Sequence, residues 1–201
     1  MDFDRPPKIS RRFLLAVSAA FIIPGLGVAP ALAATPAEQY VSNVGNDVIK
    51  LANSGAAKAA MRSRFSGLIG RNANVRAVGL LALGPFQKQL PPGLRDQFFQ
   101  LVTTYIASFF VYYIDEFQGT GLQINSSAKQ GNSTIVDSAI VFKNGGNKKV
   151  RWRINGGRVN DVNVRGVWLS LQLKERFTKI LKRTKGDFGP LFEELKSAET
   201  W

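Results

Sequence analysis

The chain has 201 residues, of which 45% are hydrophobic and 20% charged, values typical of a globular domain with a sizeable core. It contains neither cysteine nor histidine, which excludes disulfides, thiol nucleophiles, Ser-His-Asp or Cys-His catalysis and nearly all zinc sites. The net charge of +13 favours an anionic partner: a nucleic acid, the acidic headgroups of a membrane surface or an acidic protein face. The basic residues are scattered rather than gathered with aromatic ones, so nucleic acid is not expected.

Residues 1–33 have the pattern of a signal peptide. Basic side chains up to Arg12 precede an uncharged stretch that ends in Ala31-Leu32-Ala33, a small-x-small sequence that signal peptidase accepts. We therefore expect export to a periplasm, cleavage near Ala33 and a single domain over residues 34–201. No cysteine follows the signal, so a lipoprotein is not expected.

Two alternatives for this segment stay open. The uncharged run is long enough to span a bilayer and could remain as an anchor, although Pro24 and Pro30 break its second half. The string Ser10-Arg11-Arg12 also resembles a twin-arginine signal, which exports folded proteins.

The N-terminal half is predicted to be helical. Apolar residues recur at three- and four-residue spacing around residues 40–51, 61–69 and 74–83. After the break at Pro91-Pro92-Gly93, a longer aromatic helix is predicted over residues 94–117, a stretch that contains no Gly or Pro. Its second half is apolar on nearly every side, so it must be covered on all sides by protein or by something that the protein carries.

Beyond Gly119 the apolar residues alternate, which predicts four antiparallel strands with turns at 144–147 and 155–158, although Asn160-Asp161 interrupts the last strand. Two helices, 168–183 and 187–196, close the chain. The predicted fold class is α+β: N-terminal helices, the long aromatic helix, a curled four-stranded antiparallel sheet and C-terminal helices that enclose an apolar cavity.

Three stretches of the chain have a recognisable pattern: VGLLALGPFQKQLPPGLRDQFFQLVTTYI, GGRVNDVNVRGVWLSLQLKERF and GDFGPLFEELK. Together they resemble the MlaC, or toluene-tolerance, family of periplasmic phospholipid-binding proteins, which has a hopanoid-associated branch. The chain departs from the family pattern at one corner, where Arg165 replaces an acidic residue, Trp168 replaces a serine and Val159 replaces a tryptophan.

The resemblance implies a phospholipid carrier of the periplasm with no catalytic residue, no metal and no cofactor other than its cargo. It also implies an inner-membrane ABC transporter with a lipid-binding ring subunit and an outer-membrane lipoprotein complex as partners. For such a pocket, the spacing of apolar residues predicts walls from the long helix and the sheet. The predicted lining residues are Phe98, Leu101, Val102, Tyr105, Ile106, Phe109, Tyr113, Val136, Ile140, Phe142, Trp152, Ile154, Val162 and Val164.

Three other interpretations remain open. The cargo could be a hopanoid or another isoprenoid. An enzyme could use a carboxylate whose pKa is raised by burial, with Asp115, Glu116 and Asp161 as the candidates. An adaptor with a solid core could bind another envelope protein through its basic surface.

Overall fold

The computed structural model describes residues 33–200. Almost all of the predicted signal peptide therefore lies outside the described residues. In chain order the elements are α1 (Pro36–Ala52), α2 (Lys58–Asn72), α3 (Val75–Leu83), α4 (Arg95–Tyr112), β1 (Gly121–Gln130), β2 (Ser133–Val141), β3 (Asn147–Asn155), β4 (Arg158–Val164), β5 (Val167–Trp168), α5 (Leu169–Arg183) and α6 (Gly189–Ser197). None of the helices within residues 33–200 is long and apolar enough to cross a membrane.

The first helix begins immediately after the predicted cleavage point. The backbone N–H of Glu38 donates to the Thr35 hydroxyl at 3.2 Å, and the Thr35 N–H donates to the Glu38 carboxylate at 2.7 Å. This reciprocal pair is a capping box, and Pro36 at the first helical position strengthens the start because it has no N–H to satisfy.

The long aromatic helix is shorter than predicted. α4 ends at Tyr112, and a separate 3-10 turn covers Ile114–Phe117. Tyr113, between them, leaves helical geometry with φ −103° and ψ 27°. The turn brings Glu116 into contact with Lys148 of β3. The sequence did not predict this contact.

The sheet is antiparallel throughout, with strand order β1-β2-β3-β4-β5. The prediction of four strands was wrong by one, because Val167 and Trp168 turn back to pair with the end of β4. A strand of two residues is too short to show the apolar alternation by which strands are recognised in a sequence. The pairing also shifts near Asn125 and Asn160, and β-bulges of this kind bend strands and increase their twist.

The shift at Asn160 explains the interrupted alternation of β4. Ile154 faces Val159 and Trp152 faces Val162, so one extra residue separates the two valines. The bulge keeps both valines on the concave side, and Asp161 between them pairs with Arg153 of β3. The sheet that results is curled and unclosed, and the predicted α+β class is confirmed with five strands instead of four.

Within residues 33–200 the buried core consists of three clusters. One joins α3 and the first half of α4 to α5 and α6, around Phe98, Phe177 and Leu191. The second packs α1 on the concave side of the sheet, and the third joins α1, α2 and the second half of α4. The last two clusters lie on either side of an unfilled space.

Candidate functional site

An apolar cavity of about 440 Å³ lies between α1, α2, the second half of α4 and the concave side of the sheet. Its volume is in the range of natural ligand pockets, roughly 300–1,000 Å³. The polar side chains on its wall are few: Asn72, Glu116, Asp161, Arg165 and Gln172. The remaining wall is built by apolar residues, so the cavity is suited to a ligand with a large apolar part.

The structure places part of the predicted lining set on this wall. α4 and its C-terminal end contribute three of these side chains, and the concave side of the sheet contributes the others. They are Ile106, Phe109, Tyr113, Ile140, Trp152, Val162 and Val164.

The other predicted lining residues lie in packed core. On α4, the side chains one to three turns earlier contact the C-terminal helices instead: Phe98, Leu101, Val102 and Tyr105. Phe98 is fully buried, and its ring centroid lies 6.2 Å from those of both Phe177 and Phe192. In the sheet, three more pack in the cluster with α1 and do not reach the wall: Val136, Phe142 and Ile154.

Sequence reasoning missed the walls that α1, α2 and α3 provide. Their apolar stripes are visible in the sequence, but an apolar stripe on a helix does not indicate whether another element or a cavity lies against it. The missed apolar lining residues are Val44, Val48, Ile49, Phe65, Leu68, Ile69, Ala73, Val75, Val78, Phe110, Phe117, Leu122, Val150, Val159, Val167 and Leu169. Phe65 stacks on Phe110 with ring centroids 3.8 Å apart, which joins α2 to α4.

Trp152 on the wall has a satisfied polar atom. The indole Nε1–H of Trp152 donates to the Ser138 hydroxyl at 2.9 Å, and this hydroxyl donates to the carbonyl of Val150 at 2.9 Å. Because the buried N–H already has an acceptor within the sheet, the indole adds apolar surface to the cavity without an unpaired donor.

Glu116 and Arg165 meet at an exposed part of the cavity wall, which we call the mouth and define by Tyr113, Glu116, Arg165 and Val167. Tyr113 and Val167 are 43% and 45% exposed although both line the cavity. Arg165 donates to the Glu116 carboxylate at 2.8 Å. The Lys148 ammonium contacts the other carboxylate oxygen and donates to the Glu116 carbonyl at 2.9 Å.

These contacts hold Glu116 in its charged form. The hydrogen bond from Lys148 is the largest influence and lowers the pKa of Glu116, and the positive charges of Lys148 and Arg165 act in the same direction. A general acid near neutral pH needs the opposite shift. Glu116 is therefore a fixed anion at the mouth.

The chain matches the MlaC protein family over residues 42–197, which is most of its length. It belongs to the MlaC family. A solved structure with the same fold is that of a phospholipid-binding protein from Ralstonia solanacearum, determined in complex with a phospholipid. The TM-score is 0.68 at 18% identity, and the match covers 83% of this chain and 98% of that one. No curated protein matches the sequence.

In this MlaC-family protein, Asp161 serves the corner between β4 and α5. The residue is only 3% exposed, and its carboxylate accepts hydrogen bonds from the Ser170 hydroxyl and from the Ser170 N–H at 3.0 Å. It also accepts from the Val162 N–H at 3.0 Å, and Arg153 lies 3.6 Å away. An anion at the first turn of a helix is favourable because the free N–H groups there carry partial positive charge.

The corner at which this chain departs from the family pattern is held in place by contacts of Trp168. Arg153 stacks over the Trp168 ring at 4.4 Å, and Trp168 pairs with Asn163 in the sheet. Across residues 33–200 no group of acidic side chains is arranged to hold a metal ion. The family and the site together indicate a binding protein rather than an enzyme.

Proposed function

We propose that this protein binds one phospholipid with its acyl chains in the cavity and carries it through the periplasm between the inner and outer membranes. The observation that carries the proposal is the cavity itself: its wall is apolar over nearly all of its area, and Glu116 and Arg165 form an ion pair at its mouth. A phospholipid has the same division into a long apolar part and one charged end. That the related Ralstonia solanacearum protein was solved with a phospholipid supports this choice of ligand.

The energetics of transfer suit a carrier. Burying a methylene is worth about 0.8 kcal/mol relative to water, so two chains of roughly 15 methylenes each would gain about 24 kcal/mol. Non-covalent affinities rarely exceed roughly 18–21 kcal/mol. The lipid, however, moves from a bilayer to an apolar cavity, and both are apolar phases. Exchange with a membrane can therefore be reversible while escape into water stays slow.

The partners and the location belong to the same proposal. We expect an inner-membrane ABC transporter with a lipid-binding ring subunit on one side and an outer-membrane lipoprotein complex on the other. The positive net charge would favour approach to anionic membrane surfaces, at about 1 kcal/mol for each well-placed Lys or Arg. The signal-like pattern of residues 1–33 supports export.

A transfer assay tests the proposal. Donor vesicles with a labelled phospholipid and unlabelled acceptor vesicles are placed on opposite sides of a filter that passes the protein but not the vesicles. We expect label to reach the acceptor vesicles only when the protein is present. If the protein takes up label but releases none to acceptors, it binds lipid without carrying it. If it takes up no label, the result supports the interpretation of the protein as an adaptor.

A further inference from the structure

Arg165 has an unusual backbone position at the mouth. It lies in the turn between β4 and β5 with φ 55°, followed by Gly166 with φ 85°. A long side chain seldom adopts positive φ, and such positions are often retained for a functional reason. Here the turn sets the guanidinium on the cavity wall and beside Glu116.

Two basic side chains contact Glu116, Arg165 at the mouth and Lys148 beside it, and they are not equivalent. The Lys148 side chain is only 14% exposed and holds both the carboxylate and the backbone carbonyl of Glu116. The Arg165 side chain is 67% exposed and donates to one carboxylate oxygen. Exposed ion pairs contribute little to stability. Arg165 can therefore leave Glu116 at small cost, while Lys148 continues to neutralise that carboxylate.

We propose that Arg165 binds the phosphate of the cargo lipid's headgroup and exchanges its Glu116 contact for phosphate oxygens. The inference rests on the proposed function, because a lipid with its chains in the cavity presents its headgroup at the charged end. A guanidinium matches phosphate with two parallel hydrogen bonds. Lys148, Arg165 and Glu116 together carry one net positive charge. The single negative charge of one phosphodiester would neutralise it.

The consequence is selectivity for a chemical class of lipid. A phosphate ester is common to all glycerophospholipids, whereas an uncharged lipid such as diacylglycerol has the same acyl chains and no phosphate. The exposure of Arg165 leaves the rest of the headgroup in water. The mouth therefore selects phosphate-bearing lipids over uncharged ones without distinguishing among headgroups.

Competitive uptake tests this selectivity. Delipidated protein is incubated with vesicles of phosphatidylethanolamine and phosphatidylglycerol that contain a minor fraction of diacylglycerol with the same acyl chains. After separation from the vesicles, the bound lipids are measured by mass spectrometry. For the wild type we expect phospholipid to be enriched over diacylglycerol relative to the vesicles. For Arg165→Asn, which suits positive φ and removes the charge, we expect this enrichment to fall about tenfold.

Two further variants control the experiment. Arg151→Gln removes one charge from an ion pair with Asp137 in the middle of the sheet, away from the mouth, and should leave the enrichment unchanged. Arg165→Lys keeps the charge without the planar fork and should give an intermediate value. The thermal midpoint of each variant, measured by circular dichroism, shows that it is folded.

The outcomes separate the two claims. Wild-type protein that takes up diacylglycerol as readily as phospholipid, or Arg165→Asn with unchanged enrichment, overturns the role of Arg165 while the carrier proposal stands. Protein that takes up no lipid overturns both. Inorganic phosphate is the remaining probe: if it binds to Arg165 without competing with lipid uptake, the site serves free phosphate and the headgroup assignment is wrong.

Discussion

The buried carboxylate of Asp161 joins the end of β4 to the first turn of α5 through the hydroxyl and the N–H of Ser170. Removing its charge should destabilise the fold, because hydrogen bonds to a charged group are stronger and Asn offers the Ser170 groups a poorer partner. We expect Asp161→Asn to lower the free energy of unfolding by about 1.5–3 kcal/mol. Urea denaturation with an unchanged m-value measures this loss.

The matched control for this prediction is Asp137→Asn. Asp137 is paired with Arg151 at 2.6 Å, but its side chain is 40% exposed. An exposed ion pair is worth about 0.2–1 kcal/mol, so this variant should lose much less stability. Equal losses in the free energy of unfolding for Asp137→Asn and Asp161→Asn would show that the Asp161 hydrogen bonds do not stabilise the fold more than an exposed ion pair does.

At the scale of elements, Gly119 fixes the close approach between the end of the 3-10 turn and β2. A Cβ added at Gly119 would lie 2.7 Å from the backbone oxygen of Val141, which cannot move without disturbing the sheet. We expect Gly119→Ala to lower the free energy of unfolding by about 1–3 kcal/mol.

Gly70 provides the opposite case in the same chain. It lies within α2, and a Cβ there would meet nothing within 4 Å. Alanine is favoured over glycine in helices, so Gly70→Ala should raise the free energy of unfolding by up to about 1 kcal/mol. A Gly119→Ala variant as stable as Gly70→Ala would contradict the packing described for the start of the sheet.

The sequence predicts these elements well where the signal is local. The helices α3 and α5 begin within a residue of the prediction, and the turns between β2, β3 and β4 fall at the predicted Gly pairs. Tertiary partners are another matter. Phe98 and Phe109 are alike in local sequence, yet the C-terminal helices cover the first and the cavity adjoins the second. Likewise, periodicity showed the break at Asn160 but did not settle which face of the sheet the residues beyond it would present to the cavity.

At the scale of the whole molecule, the cavity can be filled without changing the charge. Val162 lines the cavity from β4, and Val162→Trp would place an indole in the space proposed for acyl chains. We expect this variant to retain about a tenth of the wild-type lipid or less, because a volume of several methylenes is lost from the pocket.

Leu81→Trp serves as the control, since Leu81 is 46% exposed on α3 and does not line the cavity. It should carry lipid at the wild-type level, and both variants should show the same secondary structure by circular dichroism. Wild-type lipid content in a folded Val162→Trp protein would mean that the lipid lies elsewhere.

The central claim is that the cavity holds one phospholipid, and organic extraction tests it most directly. The protein is purified without detergent, extracted, and the extract is quantified by mass spectrometry and phosphorus analysis. We predict close to one phospholipid per protein molecule. A hopanoid or another isoprenoid in that amount would replace the cargo but keep the cavity as its site. Protein that yields no lipid, and takes none from vesicles, would contradict the claim.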